Sequence, residues 1–90
     1  MDKYIIGESS TNKTRRMLEE AKKNGAVVVC KNIYRMKLKA ECYGISGLEF
    51  ETYGDIDFLN GRKIAIDELG DFFRHYFGAE LDAFTMTVDD

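Results

Sequence analysis

Residues 7 to 14 read Gly7-Glu8-Ser9-Ser10-Thr11-Asn12-Lys13-Thr14. They meet the phosphate-cradling pattern G-x-x-x-x-G-K-[ST] at every fixed position except the second glycine, where Asn12 stands. In such a loop successive backbone N–H groups converge on a phosphate, the Lys ammonium reaches the outer phosphates, and the Thr hydroxyl joins the shell of a Mg²⁺ ion. Glycine is wanted at the sixth position because the chain turns through positive φ there; Asn is the next most tolerant residue. The Asn12 side chain is nevertheless expected to crowd the phosphate. A second group with chemical potential is Asp67-Glu68, which closes the apolar run Lys63-Ile64-Ala65-Ile66. An Asp at a strand end can reach Mg²⁺, often through water, and a neighbouring Glu can polarise an attacking hydroxyl. The same pair also suits a helix start, with Asp67 as the cap and Glu68 near the positive end. Both readings stand at the level of the sequence.

The loop has chemical meaning only with a buried strand before it and an amphipathic helix after it. Tyr4-Ile5-Ile6 supplies the strand, a short apolar run opening into Gly7. From Lys13 to Asn24, Met17, Leu18 and Ala21 share one face while charged residues take the others, and Asn24-Gly25 marks the stop. The β-branched run Ala26-Val27-Val28-Val29-Cys30 predicts a strand covered on both faces, with Cys30 as packing. Asn32 is placed to cap a second helix running to about Tyr43, with Ile33, Met36, Ala40 and Tyr43 inward. Lys31, Arg35 and Lys39 then form a basic stripe, read as a solvated face and not as a nucleic-acid contact. Leu48-Glu49-Phe50-Glu51-Thr52 alternates as a half-exposed strand, residues 53–59 predict a turn or one-turn helix, and residues 63–68 the strand that carries the two acids. Leu69, Phe72, Phe73 and Tyr76 define the most strongly periodic helix, closed by Gly78, with its aromatics in the core and His75 solvated. Residues 81–88, alternating at Phe84, Met86 and Val88, predict a last strand.

Ninety residues suffice for a single domain, 1–90, burying about 60–65% of the surface its unfolded chain would expose. With 44% hydrophobic and 32% charged residues, and no run of eighteen apolar residues, the chain is expected to be cytoplasmic, with neither a membrane span nor a secretory leader. Cys30, Cys42 and His75 share no metal-ligand spacing, so no zinc site is expected. The formal charge of −3 hides a polarity: residues 1–40 carry ten Lys/Arg against four Asp/Glu, whereas residues 41–90 carry three against twelve. Such asymmetry bears on partners more than on fold, and its simplest reading is that the two halves pack together.

Taken in order, GESSTNKT, VVVC, AIDELGDFF and AFTMTVDD resemble a stripped-down P-loop NTPase of the RecA-like and thymidine-kinase-like kind, similar to small phage and mobile-element proteins of this shape. The resemblance implies that Gly7, Asn12, Lys13 and Thr14 form a degenerate Walker A loop holding a nucleotide. It implies that Thr14 and Asp67 hold Mg²⁺, and that Glu68 is the catalytic residue, polarising an attacking hydroxyl. The expected fold is accordingly α/β: a three-layer miniature of the P-loop NTPase fold, with a mainly parallel sheet of four to five strands and about three helices. Asn12 in place of glycine, no zinc ribbon and no second lobe with an arginine finger all weigh against efficient turnover. The first functional expectation is therefore a non-enzymatic accessory protein of phage type that binds a host protein or nucleoprotein. Inhibition of a host defence nuclease, as by anti-CRISPR proteins, is one form of it. The alternative is a residual nucleotide–Mg²⁺ binder or slow NTPase; without that activity no cofactor is expected. Three helices are few to cover both faces of a parallel sheet, so a second copy or another protein is expected on the remainder. Neither membrane association nor direct nucleic-acid binding is expected.

Overall fold

The computed structural model describes residues 12–87. Helix α1, Lys13–Asn24, leads to strand β1, Val27–Cys30, then α2, Ile33–Cys42, and β2, Phe50–Thr52. A 3₁₀ segment, Tyr53–Leu59, kinked at Asp55, precedes β3, Ile64–Ile66, and α3, Leu69–Phe77. The three strands form one parallel sheet in the order β2-β1-β3. Val28 stands opposite Phe50 and Cys30 opposite Thr52 on one side; Val27 opposes Ile64 and Val29 opposes Ile66 on the other.

The central place of β1 follows from its composition. All four residues are fully buried, and an unbroken β-branched run is suited to a strand with neighbours on both faces and both edges. Side chains alternate across the pleat. Val28 and Cys30 pack with Met17, Leu18 and Ala21 of α1 and Met36 and Ala40 of α2. Val27 and Val29 pack on the opposite face with Tyr53, Leu59 and Phe72. Helical elements therefore cover both faces of the sheet.

The local signals act as read from the sequence at α1 and α2. Gly25 takes φ +67° after α1, and the Ala26 N–H closes on the Ala21 carbonyl at 2.9 Å, a turn that a β-carbon resists. Lys22 and Lys23 lie in the last turn of α1, where the helix dipole favours cations. The Asn32 side chain caps α2 by accepting from the Arg35 N–H at 3.0 Å.

Several expectations are corrected. Among the described residues the sheet has three strands, and residues 81–87 form none. The alternation at Phe84 and Met86 meets no neighbouring strand there; the two side chains are 52% and 58% exposed. The predicted strand at residues 4–6 and Val88 lie outside the described residues. The strands are also shorter than the apolar runs suggest, since β2 begins at Phe50 and β3 ends at Ile66. Of the α3 aromatics only Phe72 is buried, and Tyr76 is 42% exposed. Phe72 packs with Val27, Val29, Tyr53 and Leu59, whereas Tyr76 and Phe77 lie outside that cluster and stay exposed.

Candidate functional site

Where α1 begins and β3 ends, the chain brings together two segments that sequence reading paired. The Thr14 Oγ1 hydroxyl donates to Asp67 Oδ1 at 3.3 Å, across 53 positions of sequence. Both lie at the carboxyl rim of the parallel strands, where ligands of open α/β sheets bind. Asp67 is fixed there by its own backbone, whose N–H donates to the Val29 carbonyl at 3.0 Å and so continues the β1–β3 ladder. The start of α1 supplies the positive end of a twelve-residue helix dipole at the same rim.

Asn12 holds φ 57° and ψ 31°, the left-handed conformation that makes glycine the usual occupant of this position. Its carbonyl accepts the first helical bond, from the Arg16 N–H at 3.1 Å, and its side chain caps no N–H group of α1. Lys13 follows as the first residue of α1 and is half-buried. Gly7 lies outside the described residues.

Asp67 does not cap α3. The residue before that helix is Glu68, which makes no side-chain cap bond, and the Asp67 carboxylate turns to Thr14 instead. The capping reading of Asp67 is thereby overturned. Burial raises the Asp67 carboxyl above its ordinary value, and the adjacent Glu68 charge adds to this; the Thr14 hydroxyl and Lys39 oppose it. Glu68 is exposed and holds φ 58° and ψ 75°.

Tyr53 escaped sequence reading, which saw only the start of a turn. It is 3% exposed and donates its hydroxyl to the Asp67 carbonyl at 2.6 Å, pinning the β3–α3 junction from the 3₁₀ segment. Its phenol is pushed well above the usual range, first by burial and then by the Asp67 charge, so it stays a donor. No local pattern announces such a contact, which joins residues fourteen apart through a fold. Cys30 ends β1 beside the same rim, and its thiol is raised by burial and by Asp67, as befits packing and not a nucleophile.

No family model, curated protein or solved structure matches the chain. Among the described residues no group of three or more His, Cys, Asp or Glu side chains gathers as a metal cage. Mg²⁺ does not require one, since it is held by one or two protein oxygens together with substrate phosphates and water. Thr14 and Asp67 offer that hard-oxygen donor pair. No helix among the described residues is long and apolar enough to cross a membrane.

Proposed function

We propose that this chain is a pared-down P-loop domain that binds a nucleoside triphosphate with Mg²⁺ and turns it over slowly or not at all. The observation that carries the reading is the 3.3 Å approach of Thr14 to Asp67, which joins the loop's hydroxyl to the strand-end carboxylate. Asn12 at positive φ adds support, because the backbone adopts there the turn that the pattern demands. Lys13 would hold the outer phosphates, Thr14 and Asp67 the Mg²⁺, and Glu68 would polarise an attacking hydroxyl. Mg²⁺ would supply charge neutralisation of the phosphates; the chain's own part is to orient them and to keep Asp67 aimed at the rim. Under this reading the chain is a small three-layer P-loop core. The Asn12 side chain occupies space that glycine leaves open, so affinity should be modest.

Thermal denaturation with ATP, GTP and deoxynucleotides tests this. Ligand at one hundred times its Kd stabilises by about 2.7 kcal/mol, which in a domain of this size is a Tm rise of roughly 10 °C or more. The rise should vanish on chelating Mg²⁺ and in Lys13→Ala. No shift with any nucleotide at millimolar concentration discards the proposal.

A second reading keeps the same scaffold as a phage-type accessory protein that docks on a host macromolecule, anti-CRISPR inhibition of a nuclease being one form. The exposed acids of the second half, Asp55, Asp57 and Glu68 among them, support it by offering a polyanionic surface to a basic groove. Unchanged nuclease activity and no stoichiometric host partner in a pull-down would discard it.

A further inference from the structure

Two surfaces remain that the phosphate site does not use, one on each face of the sheet. On the outer side of α2, Arg35, Leu38 and Lys39 line an open depression of about 370 Å³. Leu38 is 45% exposed, and neither Arg35 nor Lys39 makes an ion pair with any described residue. On the opposite face, Phe58 projects from the 3₁₀ segment at 84% exposure, with exposed Asp55 and Asp57 beside it. The Tyr76 hydroxyl donates to Asp57 at 3.3 Å, so the exposed end of α3 continues this aromatic, acidic patch.

We propose that these surfaces are the two halves of one contact between copies of this chain: Phe58 of one copy seats in the Arg35–Leu38–Lys39 depression of the next. The depression joins one apolar side chain to two basic ones, and the projection is an aromatic ring flanked by carboxylates. Polarity and charge therefore agree in sign. A guanidinium beside an aromatic face is itself attractive, and gains as water leaves. A symmetric contact is disfavoured, because α2 against α2 would set Arg35, Lys37 and Lys39 against their own kind with Glu41 the one acid on that helix, and the Phe58 patch against itself would oppose Asp55 and Asp57. Because the halves lie on opposite faces, the contact is head-to-tail and extends as a short chain or closes as a ring. It uses none of Lys13, Thr14 or Asp67; the Lys39 charge does reach Asp67, so Phe58, Arg35 and Asp57 carry the test that separates it from the nucleotide reading.

Sedimentation velocity of the whole chain over a concentration series, at about 50 mM and about 500 mM salt, tests it, since exposed charge pairs are screened at the higher value. The expected result is a mass that climbs above 10.3 kDa with concentration and falls back toward it in high salt. Phe58→Ala should weaken association at least about tenfold with Tm unchanged, because the side chain is already exposed. Arg35→Glu and Asp57→Lys should each be monomeric alone, and mixing the two should restore association, since each reversed surface then faces its opposite. A 10.3 kDa species at every concentration overturns the proposal. So does association that Phe58→Ala leaves unchanged, or that the mixture fails to restore.

Discussion

Asp67 is the residue at which fold and chemistry compete. Folding half-buries its carboxylate beside Glu68, and this raises its affinity for a proton above that in the unfolded chain. A carboxyl raised in the folded state favours folding while protonated. Its contribution is complete below the unfolded value, about 3.9, and is lost as pH rises through the folded value above it. At neutral pH the charged Asp67 therefore opposes folding. Asp67→Asn removes that opposition and keeps a side-chain carbonyl for the Thr14 hydroxyl. Its Tm should exceed the parent's at pH 7 and converge with it near pH 3, while any Mg²⁺-dependent nucleotide shift is lost. A pair of Tm–pH curves checks this, and a lower Tm for Asp67→Asn at pH 7 would show that the carboxylate is held favourably instead. Under the proposed Mg²⁺ role, stability surrendered at this position is the expected pattern for a functional group.

At the scale of elements, the junction between β3 and α3 is where the chain is under tension. Glu68 takes a left-handed φ of 58° directly after the strand, a conformation that costs a residue with a β-carbon about 1–2 kcal/mol. Tyr53, hydrogen-bonded to the Asp67 carbonyl, holds the turn in place. Glu68→Gly should thus stabilise the domain by about 1 kcal/mol, the left-handed relief being partly offset by glycine's greater unfolded-state entropy; urea denaturation measures it. A destabilised Glu68→Gly would mean that the Glu side chain contributes more than its backbone loses. The elements that were legible in advance are those whose signals are local: the Gly25 stop of α1, the Asn32 cap of α2 and the buried β1 run. The Thr14–Asp67 meeting was legible because two motifs imply it jointly. The Tyr53 contact and the bare end of α3 were not, because both depend on where one short element ends against another. Residues 81–87 show the same limit: alternation describes a face, and only a neighbouring strand turns it into sheet.

For the molecule as a whole, β1 is shared by two small cores that lie on opposite faces of the sheet. Val28 and Cys30 belong to the α1–α2 side, and Val27 and Val29 to the Tyr53–Phe72 side. Neither core is large, and a chain of 90 residues has a total stability of only about 5–13 kcal/mol. Leu18, fully buried on the first side, and Phe72, 7% exposed on the second, are the anchors of their cores. Leu18→Ala should cost about 3–5 kcal/mol and Phe72→Ala about as much, each removing a large fraction of the total. Because the four residues of β1 bind the two cores into one unit, losing either anchor should lower the midpoint of a single urea transition without splitting it. Far-UV circular dichroism follows the helices, and tyrosine fluorescence, in a chain without tryptophan, sums five tyrosines, of which Tyr53 packs on one face and Tyr43 on the other. The two signals should coincide in the parent and in both variants. If Leu18→Ala split the unfolding into two steps, with part of the helical signal lost well before the rest, the faces would be folding separately, and the alignment of Thr14 on one with Asp67 at the rim would lose its mechanical basis.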